Sequence, residues 1–239
     1  MAGVLDQLKT IREQSGEART TGLDNDTVCQ FVSRDPDLVE AVNAATKEFG
    51  VLSREFPELM KLGEMEQVEA IEKHLVNFYA DDTVNPYVSM AARGPWIITT
   101  KGAVLHDNGG YGMLGFGHVP EPIIAAMTKP QVMANVMTPS FAQLKLSKAL
   151  AREIGQTHDG GCPFSHFVAM NSGSESVSVA TRIADVNAKI LTDEGGRHAG
   201  KSVKKMSLSG GFHGRTGRPA MFSDSCRGSY GKYLASFRT

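Results

Sequence analysis

A repeated pattern that begins at Ser165 restricts the fold of this chain more than any other feature. His166–Met170 is a compact apolar run typical of a buried strand, and Glu175–Leu191 repeats apolar residues at helical spacing. Val203–Leu208 then predicts a second strand. Because a strand, a helix and a strand of these lengths form a βαβ unit, we expect a parallel sheet with a right-handed crossover.

Residues 1–85 predict a helical N-terminal segment, followed by an α/β domain over residues 86–239. Apolar residues recur at helical spacing in Leu5–Ile11, Leu38–Phe49 and Val68–Phe78. The dipeptide Asp35-Pro36 is typical of a helix start. Each of these helices has one apolar stripe, which must pack against a larger body of the protein or against a partner subunit.

The middle of the chain predicts a hairpin and two helices. Trp96–Thr100 and Ala103–His106 are short β-rich runs separated by Lys101-Gly102, as in a β-hairpin. Glu121–Met127 and Ser140–Ile154 then have the spacing of helices.

Composition excludes several classes of partner. The formal net charge of −1 over 239 residues does not favour nucleic acid or an acidic membrane surface. No apolar run approaches the roughly 20 residues of a membrane span. Cys29, Cys162 and Cys226 are far apart and form neither a metal-binding pair nor a disulfide framework. A reducing compartment fits best, which predicts a cytoplasmic protein and leaves the mitochondrial matrix open.

The turn after the first predicted strand reads Asn171-Ser-Gly-Ser-Glu175. The first turn of the following helix has unpaired N–H groups and a partial positive charge, while glycine allows an anion to approach closely. Ser172 and Ser174 add hydroxyl donors, so the turn is a candidate anion site. The alternative is an ordinary capped helix, in which a serine hydroxyl accepts an N–H of the first turn and Glu175 supports it.

A second polar turn, Gly210–Thr216, follows the next predicted strand. Ligands of open α/β sheets lie beyond the carboxyl ends of parallel strands, and both turns occupy such ends. Phe212 can stack on a flat cofactor, and Arg215 can hold a carboxylate through two hydrogen bonds. His213 and Arg215 can equally be a loop histidine and a solvated surface charge.

A glycine-rich run from Asp107 to His118 is the third candidate. It is either a structural loop of tight turns or backbone that approaches a ligand closely. Gly110–Gly115 formally satisfies the dinucleotide fingerprint G-x-G-x-x-G. The helix that should begin at the third glycine is missing, however, because Phe116-Gly-His-Val-Pro120 follows, and we reject a nicotinamide site.

Taken in order, these motifs resemble those of the class III (omega-type) aminotransferases, which depend on pyridoxal 5'-phosphate (PLP). The resemblance covers about residues 93–222 and includes Gly102…Asp107, Gly117-His-Val-Pro120, Asn171-Ser-Gly-Ser-Glu175 and Phe212-His-Gly-Arg-Thr216. The ordered set is specific, although no single member is. Ser176-Val-Ser178 departs from the family, which usually has Ala-Asn/Gly-Glu there.

The resemblance implies a PLP-transferase type I fold. This is an α/β fold with a helical N-terminal segment and then the start of a mostly parallel sheet with flanking helices, in a large domain that is incomplete here. It also implies that main-chain N–H groups and a hydroxyl bind the PLP phosphate, while an aromatic ring stacks on the pyridine. The implied site residues are Ser172, Gly173, Ser174, Phe212 and His213 for the cofactor, and Tyr111 and Arg215 for the substrate.

Members of this family are homodimers that move an amino group between an amine or amino acid and a 2-oxo acid. Their Schiff-base lysine lies well downstream and follows an Asp-Glu segment. Lys201, Lys204 and Lys205 lie before or at a predicted strand start and Lys232 lies near the end of the chain, so none has the context of the family's lysine. We therefore expect an N-terminal fragment that does not transaminate alone. The alternatives are a noncatalytic PLP- or partner-binding module, or another fold-type I PLP enzyme such as an aminomutase, lyase or racemase.

Overall fold

The structure is a computed structural model that describes residues 2–75, 87–108, 115–132, 137–224 and 232. The chain divides into two compact units, Met1–Met133 and Ala134–Thr239. The boundary between residues 85 and 86 stays a prediction.

The N-terminal part is helical, as its periodicity predicts, and its elements begin at recognisable capping residues. Asp35 caps the third helix by accepting the N–H of Asp37, and Pro36 occupies the first helical position, where its missing N–H has no cost. Asp24 caps the second helix by accepting the N–H of Thr27. The helices are α1 (Ala2–Gln14), α2 (Asn25–Val32), α3 (Pro36–Glu55), α4 (Pro57–Lys61) and α5 (Glu64–Glu72).

The predicted hairpin is confirmed, with an additional strand before it. Strands β1 (Ser89–Arg93), β2 (Trp96–Thr99) and β3 (Val104–His106) form an antiparallel sheet in the order β1-β2-β3. Trp96 pairs with His106 across the hairpin, and the turn contains Gly102 at a φ of +71°. That backbone conformation favours glycine, which explains the residue at this position.

The apolar stripes of the N-terminal helices pack on this sheet within the same unit. Helix α3 lies against β1 and β2, and α1 lies against α3. The structure thus assigns the stripes of α1 and α3 to the interior of their own unit, a choice that periodicity left open. The third predicted stripe is only partly buried, because Val68 is buried whereas Ile71 and Leu75 are exposed, and Phe78 lies outside the described residues. The core consists of Val4, Leu8, Ile11, Val28, Leu38, Ala41, Val42, Ala45, Phe49, Met60, Trp96, Ile98 and Val104.

The three helices predicted for the second half of the chain form at the predicted places: α6 (Glu121–Met127) in the first unit, and α7 (Phe141–Gly155) and α8 (Gly173–Thr192) in the second. The second unit also contains a short helix that the sequence did not predict, α9 (Gly217–Met221). Ser140 and Gln143 form a capping box at the start of α7. Among the described residues, every helix is too short or too polar to span a bilayer.

The predicted strands His166–Met170 and Val203–Leu208 do not form, and this part of the fold prediction is wrong for the described chain. The described residues contain only the antiparallel sheet, without a parallel pair. An apolar run becomes a strand only when its N–H and C=O groups pair with a neighbouring strand. Neither segment has such a neighbour in the described chain, and Val168 and Met206 are 69% and 93% exposed.

Candidate cofactor site

Helix α8 begins with a capping arrangement that involves three residues of the Asn171–Glu175 turn. Ser172 has an extended backbone, and its hydroxyl oxygen accepts the N–H of Glu175 at 3.2 Å. The Glu175 carboxylate in turn accepts the N–H of Asn171 at 2.9 Å. The capped-helix interpretation of this turn is therefore correct as far as Ser172 and Glu175 are concerned.

The cap does not use the donors that an anion would need. Gly173 and Ser174 are the first two residues of α8, and helix geometry gives their N–H groups no partner within the helix. A Cβ built on Gly173 would meet no atom within 4 Å, so open space lies beside this position. The Ser172 hydroxyl can still donate its proton while its oxygen accepts from Glu175. A capped helix and an anion cradle are thus compatible in this turn.

The two polar turns predicted from the sequence meet in the structure. Gly214 is buried, and a Cβ built on it would overlap the Ser174 hydroxyl and lie 3.0 Å from the Pro219 Cβ. Gly214 also has a φ of +120°, a conformation that L residues rarely adopt. Glycine at this position therefore allows the Phe212–Thr216 turn to approach the first turn of α8.

The second turn is held by two residues that sequence reasoning missed. The buried Ser223 hydroxyl accepts the N–H of His213 at 2.7 Å and lies 2.9 Å from the carbonyl oxygen of Gly214. The Asp224 carboxylate accepts the N–H of Gly210. Both residues lie beyond the Gly210–Thr216 motif that the sequence analysis singled out. The available signal was a serine and an aspartate directly after the apolar run Ala220–Phe222, since Ser and Asp side chains commonly bond to nearby backbone.

The aromatic and cationic groups of this turn lie together. Phe212 is 55% exposed, and the Arg215 guanidinium carbon lies 5.7 Å from the centroid of its ring. This distance suits a cation–π contact. His213 lines a cavity of about 280 Å³ beside α8, whose wall also includes Val177 and Phe222. The turn therefore presents an aromatic ring, an imidazole and a guanidinium within one short segment.

An ion-pair network connects this region to the middle of α8. Asp185 lies 2.7 Å from Lys205 Nζ and 2.6 Å from Arg218 Nη1. The hydrogen bond from Lys205, together with the positive charges of Lys205 and Arg218, lowers the pKa of the Asp185 carboxyl despite some desolvation. The network attaches the segment around Lys205 and helix α9 to the same helix whose first turn forms the candidate anion cradle.

The glycine-rich run belongs to the first unit, and Tyr111 lies outside the described residues. At the end of the run, His118 forms an antiparallel bridge with Gly94, and its Nε2 lies 3.0 Å from Asp107 Oδ2. His118 is also followed by Val119, a β-branched residue at a φ of +52°. The ends of the run are thus attached to the sheet, so Asp107 and His118 have a structural role in this loop.

A sequence model of the family Aminotransferase class-III matches residues 78–233, well over half of the chain. The chain therefore belongs to the class III aminotransferases, a family of enzymes that are generally PLP-dependent. No curated protein and no solved structure matched the chain.

Proposed function

We propose that this chain provides the phosphate-binding part of a PLP-dependent transaminase. The enzyme would move an amino group between an amine or amino acid and a 2-oxo acid. One observation carries the proposal: Gly214 lies against Ser174, so an aromatic turn adjoins the first turn of a helix. A phosphorylated aromatic cofactor needs these two elements side by side, because its phosphate and its ring are only a few bonds apart.

The first turn of α8 supplies donors suited to a phosphate. In this proposal the N–H groups of Gly173 and Ser174 and the hydroxyls of Ser172 and Ser174 bind the phosphate, aided by the helix dipole. The open space at Gly173 allows an anion to reach these N–H groups. The Glu175 carboxylate is directed to the N–H of Asn171, which leaves the donors of Gly173 and Ser174 to the ligand.

The second turn supplies groups for the ring and the substrate. Phe212 would stack on the pyridine ring of PLP, and His213 would line the site beside it. Arg215 would bind a substrate carboxylate, since its planar guanidinium can donate two parallel hydrogen bonds. The contact between Arg215 and the Phe212 ring supports this role because it holds both groups at the same side of the turn.

The proposal includes the type I PLP-transferase fold and a homodimer for the enzyme, and the substrate-binding role of Tyr111 stays a prediction from the family resemblance. When bound, PLP supplies an electron-poor ring that accepts electrons from bonds at the α-carbon of the substrate. Turnover also requires a lysine amine at the cofactor. Lys201, Lys204, Lys205 and Lys232 lack the sequence context of the family's lysine, and Lys205 pairs with Asp185. We therefore propose that this chain binds the cofactor without transaminating by itself.

The phosphate site is tested by the Ser174→Ala variant of the whole chain. Pyridoxamine 5'-phosphate is the suitable probe, because it has no aldehyde and does not react with surface lysines. Loss of one hydrogen bond to a charged phosphate should weaken its affinity by about tenfold or more, measured by equilibrium dialysis.

Ser209→Ala is the matched control, since Ser209 is an exposed serine of the same unit and has no role in the proposed site. The control should bind the probe as the wild-type chain does. Equal affinities for wild type and Ser174→Ala would remove Ser174 from the phosphate site, and a wild-type chain that binds no probe would refute the cofactor assignment.

A further inference from the structure

Ser223 is a buried hydroxyl that lies within hydrogen-bond distance of three backbone groups. Its side chain is 0% exposed. Its oxygen accepts the His213 N–H at 2.7 Å and lies 2.9 Å from the Gly214 carbonyl and 3.1 Å from the Pro219 carbonyl. A serine hydroxyl has one proton, so it donates to one of these carbonyls or is shared between them. Ser223 thus joins three backbone positions that are four to ten residues away in the sequence.

These bonds close the segment from His213 to Ser223 into a compact loop that contains α9. Pro219 and Ala220 are buried inside the loop, and Asp224 extends the closure by accepting the N–H of Gly210. Two of the three partners of Ser223, His213 and Gly214, belong to the turn that adjoins Ser174. The position of that turn relative to α8 therefore depends on the Ser223 hydroxyl.

We infer that Ser223 is a positioning residue of the cofactor site. Its hydroxyl holds the Phe212–Gly214 turn against the first turn of α8, where Gly214 meets Ser174. Ser223 touches neither phosphate nor ring and acts through the backbone of His213 and Gly214. The inference rests on the function proposed above. It assigns Ser223 to the part of the site that binds the pyridine ring, whereas binding of the phosphate depends on Gly173 and Ser174.

The experiment compares wild type and Ser223→Ala in the whole chain, with pyridoxamine 5'-phosphate as the probe. Two signals report the two halves of the site: the fluorescence of the pyridine ring and the ³¹P chemical shift of the phosphate. Ser223→Ala should weaken affinity by about tenfold, because the backbone of His213 and Gly214 in the turn loses its contact with the hydroxyl. At saturating probe the ring fluorescence should change, while the ³¹P shift should stay at the wild-type value. Ser209→Ala serves again as the control.

Unchanged affinity and ring fluorescence in Ser223→Ala would overturn the inference. A parallel change of both signals would overturn it as well, because it would indicate general loosening of the unit. If the wild-type chain binds no probe, the inference fails together with the proposed function, whereas wild-type binding with an unaffected Ser223→Ala variant refutes the inference alone.

Should Ser223→Ala fail to fold, the pair Ser223→Thr and Ser223→Val decides the question. The two variants have the same shape and differ only in the hydroxyl. We expect ring fluorescence close to that of the wild type for Thr and altered fluorescence for Val, and equal fluorescence in the pair would contradict a role of the hydroxyl.

Discussion

Neighbouring residues of the candidate site differ in the range of their contacts: some bond locally, and others meet residues that are distant in the sequence. Ser172 caps α8, as the turn pattern predicts, whereas Ser174 of the same turn meets Gly214 forty residues later. The serine-rich turn before a helix was visible in the sequence, but the approach of Gly214 was not. Glycine is required at position 214 because Ser174 lies against it and because its φ is +120°. No local sequence pattern predicts either feature.

We expect Gly214→Ala to destabilise the second unit and to weaken cofactor binding. The new methyl group would overlap Ser174, and a φ of +120° is strained for alanine, at a cost of about 1–3 kcal/mol. Denaturant unfolding and dialysis against pyridoxamine 5'-phosphate measure the two effects. Gly160→Ala is the matched control, because a Cβ at Gly160 would meet no atom within 4 Å. If both alanine variants unfold at the same denaturant concentration, the close approach at Gly214 is disproved.

At the scale of elements, helix starts and the hairpin follow from local chemistry, while their docking depends on long-range contacts. Asp35-Pro36 predicted the start of α3, and Asp35 does accept the Asp37 N–H there. The second carboxylate oxygen of Asp35 accepts the indole N–H of Trp96 at 2.8 Å, which joins the start of α3 to strand β2. Trp96 is fully buried, so this bond satisfies a polar group inside the core.

Asp35→Ala should therefore lower the free energy of unfolding by more than the loss of an ordinary helix cap does. The loss of the cap costs about 1 kcal/mol, and the unpaired buried indole N–H adds about 1–3 kcal/mol. The measurement is the free energy of unfolding from urea titration followed by the fluorescence of Trp96, the single tryptophan of the chain. Asp26→Ala removes an exposed acidic residue from the first turn of α2 and should change stability little. If Asp35→Ala lowers the free energy of unfolding by no more than about 1 kcal/mol, the hydrogen bond to the Trp96 indole contributes nothing to stability.

At the scale of the whole molecule, the hydrophobic core lies in the first unit and includes a buried polar cluster beneath the hairpin turn. The Lys101 ammonium donates to the carbonyl oxygens of Met60 and Leu62 at 3.4 and 2.5 Å. Glu64 accepts the N–H groups of Arg19 and Thr20, which attaches the segment after α1 to α5. In the second unit, by contrast, α8 exposes Ile183, Val186 and Ile190.

Stability of the first unit should depend on alkaline pH through Lys101. Burial lowers the pKa of Lys101 below its ordinary value of 10.5, partly offset by the charge of Glu64. Between the lowered pKa and 10.5 the unfolded chain binds a proton that the folded chain has lost, so the Lys101 contribution to stability rises with pH in that window. Below the lowered pKa both states are protonated and the cost of burying the charge is complete.

The matched comparison is Lys101→Met, which keeps an unbranched side chain without a titratable group. The unfolding free energy of the wild type relative to Lys101→Met should increase as pH rises toward 10.5. Urea unfolding at a series of pH values measures this difference. Parallel pH curves for the two proteins would mean that Lys101 has the same pKa in the folded and unfolded states.

The sequence by itself determined helices α1, α3, α6, α7 and α8, the hairpin and the two polar turns, because periodicity, capping residues and turn residues act over a few neighbouring positions. It also determined family membership through the order of its motifs, which the family match over residues 78–233 confirms. Only the tertiary structure decided that the N-terminal helices cover the sheet, that Gly214 meets Ser174 and that Ser223 closes the second turn. It also decided that His166–Met170 and Val203–Leu208 do not form strands in the described chain, since a strand depends on a partner that its own residues do not specify.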